Sequence, residues 1–429
     1  MLCLRGAWRS LSYAIGLVLF LAVVTHAQEQ SLTANEVVRR ALAANGELAA
    51  VRLEIDRARA RLRQAGRLPN PTIDVEQSTG RFTGSPGESE LSVGIAVPIE
   101  LGGKRRRRIE LARAELEAAE AEVADRERRL TNDVRALYAE ALAAIRELST
   151  LAELSDLDLQ TTRFVQARVN EGETAPIELN QLRVEVERLR SRRALVDGRL
   201  KGTLLKLKSL TGIEILRLGE DLQQPNSNPS PASLDTAVEI ALRSRPDLKL
   251  ARLSEEVAHD GLQLARAQAV PDLTPFTRYS STRSVFEDTP VGVLRDRDKS
   301  LTFGVAVELP IFNRNQGGKE EAAVAIAQAQ RRREFLEAVI RSEVQSAYAR
   351  YEAAQAAVTV FEQGALPRSN QNVRTIRAAY QIGAFSITEL LVEQRRLLDV
   401  QREFTEALTE RYRALADLQA AMGMAVESR

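Results

Sequence analysis

Cysteine is almost missing from this chain of 429 residues, which has one, Cys3, and histidine is scarce, with two. Cys3 lies ahead of an apolar run from Leu11 to Val24, so nothing after that run can form a disulfide or supply a thiolate metal ligand. His26 closes the run, and His259 stands alone; one imidazole makes no transition-metal site. Without a histidine or cysteine partner no nucleophile–base pair can be assembled, and no glycine-rich phosphate loop occurs. Both absences argue against an enzyme and call for no cofactor. Net charge is lacking as well: the formal value is +1 although 28% of residues are charged, which argues against a nucleic-acid partner. Beyond Val24 no run of 18 or more apolar residues appears. That excludes a helical membrane protein but not a membrane barrel, whose strands are short and weakly apolar overall.

Arg5 and Arg9, the run Leu11–Val24 and the tripeptide Thr25-His26-Ala27 have the three-part layout of a secretory signal, with cleavage expected between Ala27 and Gln28. An uncleaved anchor is the alternative, but 14 apolar residues are short for a span. Removing residues 1–27 takes the 60 cations to 58 against 59 anions, a net charge of −1.

What remains is written twice. "ALAANGEL" at 41–48 answers to "ALRSRPDL" at 241–248, and "VGIAVPIELGGK" at 93–104 to "FGVAVELPIFNRNQGGK" at 303–319. "EGETAPIEL" at 171–179 answers to "IGAFSITEL" at 382–390. The period of roughly 200–215 residues means two duplicated halves, 28–220 and 233–429, joined by a Pro/Asn/Ser linker at 221–232.

Each half has the same order of elements: helix, two strands, a very long helix, a shorter helix. Helix is expected over 33–65, with Thr33 as N-cap, and over 104–170, a stretch of 67 residues without glycine or proline. Leu116, Val123, Leu130, Leu137, Ala144 and Leu151 recur every seven residues, as in sustained coiled-coil packing. A further helix is expected over 177–210. The second half repeats this with 233–268, 319–382 and 386–422, and a kink or bulge is expected at Gly364 and Pro367. At about 1.5 Å per residue the 67-residue helix is about 100 Å long and matches its two shorter neighbours laid end to end, which suggests a rod of constant width. A cytosolic coiled coil is the plain alternative.

Strands are expected at about 71–82, 89–100, 273–284 and 299–311. Leu91, Val93, Ile95, Val97 and Ile99 alternate with small residues, as do Leu301, Phe303, Val305, Val307, Leu309 and Ile311. Large apolar side chains on one face and small or polar ones on the other is the pattern of a membrane barrel; a small soluble sheet with one buried face would read similarly. The connections, 82–88 and 285–298, read as polar hairpin tips. Four strands cannot close a membrane barrel, and hydrocarbon tolerates no open edge, so several copies must join. Three would give twelve strands.

"PIELGGKRRRR" at 98–108 reads as a strand-to-helix swivel: Pro98 bends the strand end, Gly102 and Gly103 allow the chain to turn, and Lys104 starts a helix. Pro310, Gly317, Gly318 and Lys319 are the counterparts in the second half. Arg105, Arg106, Arg107 and Arg108 are extra, and cations at a helix N-terminus oppose its dipole. Phospholipid phosphates would compensate them; otherwise they fan into solvent.

Paired strands in each of two halves, a Pro/Gly-Gly swivel and helices of this length resemble the TolC-like outer-membrane efflux family, the outer membrane factors. "PIELGGKR" at 98–105 resembles the CzcC-like heavy-metal branch. The resemblance implies an α+β membrane protein of the outer membrane, a homotrimer with a 12-stranded transmembrane β-barrel and a coiled-coil α-barrel reaching across the periplasm. It implies a periplasmic adaptor (membrane fusion protein) and an inner-membrane RND pump as partners, outer-membrane lipid around the barrel, and efflux of divalent heavy-metal cations. A multidrug or type I protein-secretion channel of the same family is the alternative, and a soluble periplasmic scaffold the alternative of another class. By the same resemblance the turns at 170–176 and 382–386 are the gate and adaptor-docking tips, with Glu171, Gly172, Glu173, Glu178, Gly383, Phe385 and Glu389. Glu178 and Glu389 occupy equivalent positions, and symmetry would turn each inward acid into a ring favouring cations; solvated turn residues are the other reading.

Overall fold

The computed structural model describes residues 31–85, 87–215, 217–219, 222, 233–286 and 294–424. The expected cleavage point at Ala27 and Gln28, and all of the expected linker but Leu222, lie outside these residues. The chain divides into two compact units. One takes in the stretch up to Ala49, Arg126–Ser244 and Arg341 onward; the other comprises Ala50–Asp125 and Arg245–Ile340.

The elements run α1 Ala34–Ala44, α2 Gly46–Ala65, β1 Thr72–Thr79, β2 Ser89–Ala96, α3 Lys104–Asn170, α4 Pro176–Thr211, α5 Leu234–Ser244, α6 Pro246–Gln268, β3 Leu273–Phe286, β4 Leu294–Val307, α7 Gln316–Val360, α8 Leu366–Gln381 and α9 Ile387–Ala421. Among the described residues no helix is long and apolar enough to cross a membrane.

Two expected helices are each divided. Thr33 caps α1 in a capping box with Glu36, but Asn45 leaves helical geometry at ψ 119° and its Oδ1 accepts the Leu48 N–H at 2.9 Å, ending one helix and starting the next. In the second half Arg245 stands before Pro246, and the proline ring pushes it to ψ 124°. Between α7 and α8 the backbone widens into a single π-turn, Phe361–Ala365. Pro367 lacks an N–H and would crowd the carbonyl four residues back; the wider turn makes room for it.

The core of the first unit lies between α1, α3, α4 and α9. Val37, Val38, Ala41, Val134, Tyr138, Leu207, Phe404 and Leu408 are buried there. Burying a side chain the size of Leu or Phe stabilises by roughly 1.5–3 kcal/mol. The Tyr138 hydroxyl, carried into this core, donates to the Leu32 carbonyl at 2.8 Å, so its polar end is not left unpaired.

The second unit holds the sheet, four antiparallel strands in the order β1-β2-β3-β4. β2 and β3 are central; β1 and β4 each leave one edge unpaired within the chain. The bounds differ from expectation: β1 ends at Thr79, where a 3-10 turn over Gly80–Phe82 begins, β2 ends at Ala96, and β3 runs on to Phe286. After β2, Pro98 has no N–H to give, yet Val97 and Ile99 on either side still donate to the Pro275 and Leu273 carbonyls, at 3.1 and 2.7 Å. β4 stops at Val307 rather than Ile311, because the chain turns tightly at Pro310, where Ile311 N–H bonds Leu309 C=O. β4 also starts at Leu294, five residues earlier than expected, and pairs with β3 out to Phe286. That early portion, Arg295 to Lys299, is polar throughout, so no apolar alternation marks it.

Candidate functional site

The two faces of the sheet differ in chemistry. Ile73, Val75, Leu91, Val93, Ile95, Tyr279, Leu301, Phe303, Val305 and Val307 occupy odd positions and are exposed, Phe303 at 73%. The register aligns them in rows: Ile73, Ile95, Thr277 and Phe303 in one, Val75, Val93, Tyr279 and Leu301 in the next. Left in water, so large an apolar face would be costly; turned to hydrocarbon it is at home.

Even positions carry the other face. Asp74, Gly94, Arg278 and Thr302 form one row, Glu76, Ser92, Ser280 and Ser300 the next. Arg278 donates to Asp74 Oδ2 at 3.1 Å, reaching over the strand between them. Gly94 is the residue it passes over, and a Cβ there would run into the Asp74 carboxylate. Ser280 and Ser300 hydroxyls bond each other at 2.7 Å.

Every charged residue of the four strands sorts by this parity. Asp74, Glu76, Glu90, Asp296 and Asp298 face the polar side with Arg278; Arg283, Arg295, Arg297 and Lys299 face the apolar side. Five of six charges on the polar face are therefore acids, and the one base is already paired.

At the first strand-to-helix junction Gly102 and Gly103 take left-handed φ of 68° and 71°, where glycine is at ease. Asp272 gathers the turn: its Oδ1 accepts the Leu101 N–H at 3.1 Å and the Lys104 ammonium at 2.8 Å. All four arginines have partners inside the chain. Arg105 Nε donates to the Gly66 carbonyl at 2.8 Å, Arg108 grips Glu100 and the Arg67 carbonyl, and Arg107 pairs with Glu110 at 2.8 Å. Arg106 lies 3.7 Å from Glu110 with its side chain 70% exposed. Protein groups thus supply compensation that the sequence alone assigns to lipid or solvent.

The second junction is built differently from the first, and the expected Gly-Gly device is not shared. Gly317 and Gly318 lie inside α7, while Asn315 takes the left-handed turn at φ 55°. Its amide donates to the Ala265 carbonyl at 2.9 Å, and asparagine is among the few residues other than glycine that tolerate this conformation. Lys319 accordingly stands in the first turn of α7 rather than starting it, and Pro310 marks the end of the strand.

The helical turns of the first unit match each other bond for bond. Gly172 (φ 79°) and Gly383 (φ 78°) end α3 and α8 in Schellman turns. Gly172 N–H bonds Val169 C=O and Glu173 N–H bonds Arg168 C=O; Gly383 bonds Tyr380 and Ala384 bonds Ala379 in the same way. Glu178 and Glu389 both sit at the third position of the following helix, yet their carboxylates do different work. Ser386 caps α9, and its N–H and hydroxyl each donate to Glu389 at 2.8 Å, which holds that carboxyl below its usual range. Ala175 offers no such cap. Glu178 instead accepts the Tyr380 hydroxyl of α8 at 3.1 Å. Tyr380 is 4% exposed, and burial, then the neighbouring Glu178 charge, push its phenol up to about 12. Glu171 is exposed, Glu173 pairs with Arg168 at 3.4 Å, and Phe385 is exposed.

The model of a family described as outer membrane efflux protein matches residues 37–213 and 237–424. The chain belongs to the outer membrane efflux protein family. The cobalt-zinc-cadmium resistance protein CzcC of Cupriavidus metallidurans is 24% identical over 91% of this chain and 90% of its own length. The pyoverdine export outer membrane protein OpmQ of Pseudomonas putida is 26% identical over 88% and 81%. A solved structure of CusC superposes with a TM-score of 0.74 over 91% of this chain and 92% of that one, at 23% identity.

Like other outer membrane efflux proteins, this one is a Gram-negative outer-membrane channel that reaches into the periplasm. The exposed apolar face of the sheet is then its lipid-facing wall, and a soluble scaffold is ruled out. Family membership supports a role other than catalysis. Among the described residues no cluster of three His, Cys, Asp or Glu side chains could hold a metal ion. A groove of about 640 Å³ between α3, α4 and α9 is lined by charges that satisfy one another, Arg192 and Arg199 on Glu147 and Arg413 on Glu140. Sequence reasoning missed the acidic face of the sheet. The signal was present in "RDRDK" at 295–299, where charge sign alternates with the period of a strand.

Proposed function

We propose that this chain is the outer-membrane exit duct of a tripartite RND-type efflux system with divalent metal cations as its cargo. The observation that carries the reading is the sorting of charge across the sheet. Closed into a barrel, the polar face lines the lumen, and each copy contributes Asp74, Glu76, Glu90, Asp296 and Asp298 against one paired arginine. Rings of acids favour cations. Relatedness to a cobalt-zinc-cadmium resistance protein supports the same cargo.

The copy number follows from the edges. β1 and β4 are each open on one side, and the strands alternate in direction, so β4 of one copy meets β1 of the next antiparallel. Three copies close a barrel of twelve strands. The turns with Glu171, Gly172, Glu173, Glu178, Gly383, Phe385 and Glu389 are the gate and the docking points for a periplasmic adaptor, with an inner-membrane pump supplying energy. The Tyr380–Glu178 bond links α8 to α4 at these turns and so holds them together.

Relatedness to a pyoverdine export protein favours a second reading, an organic cargo through the same duct. Reversal potentials in planar bilayers and the metal tolerance of a deletion strain decide between them. The metal reading predicts a cation-selective pore that loses selectivity in Glu76→Gln/Asp296→Asn/Asp298→Asn, and a deletion strain sensitive to cobalt, zinc or cadmium. Unchanged metal tolerance together with unselective conductance overturns it.

A further inference from the structure

The four charged residues on the apolar side of the sheet are all cations, and they cluster. Arg295, Arg297 and Lys299 follow one another at every second position of β4, and Arg283 on β3 is the direct cross-strand partner of Arg297. All four are exposed. Same-face neighbours along a strand are about 7 Å apart and cross-strand partners about 5 Å. Like charges placed opposite one another in this way weaken a strand pair. Among the described residues none of the four holds an ion pair with an acid, because the nearby acids Asp296 and Asp298 point to the other face. An anion from outside the chain would compensate them.

The register says where it comes from. Lys299 is one step beyond Leu301 on the same face, and Leu301, Phe303, Val305 and Val307 form the apolar band. The cations therefore begin where the hydrocarbon ends. At one end the strands pass into helices; at the other the β3–β4 pairing ends at Phe286 and Leu294. In an outer-membrane channel whose helices are periplasmic, that second end looks outward. We infer that Arg283, Arg295, Arg297 and Lys299 form a docking site for the phosphate-bearing lipid headgroups of the outward-facing leaflet. Guanidinium groups suit this ligand because their planar donors match phosphate oxygens two at a time. The site is distinct from Arg105–Arg108, which lie at the helical end of the strands and are mostly satisfied within the chain. It rests on residence in the outer membrane and is independent of the cargo.

The test uses the full chain purified in a non-ionic detergent, with bound lipid counted by native mass spectrometry. The probes are a bis-phosphorylated lipid A and the same lipid with both phosphates removed. Wild type is expected to retain the phosphorylated lipid and to lose at least about ten-fold in retention when the phosphates are absent. Arg295→Gln/Arg297→Gln/Lys299→Gln is expected to retain the phosphorylated lipid as poorly as wild type retains the stripped one. Arg295→Lys/Arg297→Lys, which keeps the charge, is expected to stay within about three-fold of wild type. The stripped-lipid comparison needs no variant and so stands even if a variant misfolds. Equal retention of both lipids by wild type, or of the phosphorylated lipid by wild type and a folded Gln variant, would overturn the inference.

Discussion

Asp74 and Arg278 form an ion pair across a strand that contributes to neither of them: β2 lies between, and Gly94 is the residue beneath the bridge. The pair is half exposed, so its own contribution is about 0.2–1 kcal/mol. Crowding is the larger effect. Gly94→Leu is expected to displace the Asp74 carboxylate and destabilise the sheet by about 1–3 kcal/mol. Asp74→Asn, which removes the charge and keeps the shape, is expected to cost less than 1 kcal/mol. Heat-dependent mobility of the detergent-extracted protein on gels reads both, and a Gly94→Leu protein as heat-resistant as wild type would contradict the assignment.

Tyr380 and Glu178 give a second expectation, this one in alkali. The phenol is pushed up to about 12 from its usual 10, first by burial and then by Glu178. A raised value in the folded state means the neutral phenol stabilises: the contribution is complete below pH 10 and is lost as pH rises through about 12. Absorbance titration near 295 nm is expected to show one late-titrating tyrosine that vanishes in Tyr380→Phe. The same variant is expected to speed amide exchange around 176–180 and 376–386, because α4 and α8 lose their link. Exchange identical to wild type would remove the latch.

Asp158 on α3 predicts the same direction of change at lower pH. It is 2% exposed, its Oδ1 has no hydrogen-bond partner, and its carboxyl rises from 3.8 to about 6. Burial is the main cause; the Glu185 charge adds to it and Gln394 opposes it. The folded state therefore favours the protonated acid. That stabilisation is present below pH 3.8 and is lost as pH rises through about 6, up to roughly 3 kcal/mol for a shift of this size. Asp158→Asn is expected to raise the melting temperature at pH 7.5 and to flatten its dependence on pH between 4 and 7. A variant less stable than wild type at pH 7.5 would show that the carboxylate's interactions outweigh the cost of its burial.

Much of this fold was legible because its strongest signals are periodic. Sixty-seven residues without glycine or proline, with Leu130, Leu137 and Leu151 in one heptad row, leave little but a helix, and the structure has α3 over Lys104–Asn170. The apolar alternation from Leu91 to Ile95 likewise marks β2. What escaped was set by groups distant in sequence or by polar alternation. Asn45 breaks a helix through one hydrogen bond, its side-chain oxygen accepting the Leu48 N–H. Asn315, not Gly317 or Gly318, makes the second junction turn, since its side chain finds Ala265 fifty residues away. Arg105 and Arg108 find Gly66 and Arg67 about forty residues upstream, which no local pattern discloses. The outer half of β4 was hidden because charge, rather than hydrophobicity, carries its period.

The account depends on the two unpaired edges of a four-stranded sheet being closed by neighbouring copies in the outer membrane. Paired cysteines test this most directly, in a Cys3→Ser background that leaves no other thiol. One is placed at Val75 or Gln77 on β1, the other at Leu301, Phe303 or Val305 on β4, and the chain is oxidised in isolated outer membranes. At least one pairing is expected to link separate chains, giving bands of two and three chains and none larger. Single chains throughout the set, or a link formed within one chain between its own β1 and β4, would contradict the central claim.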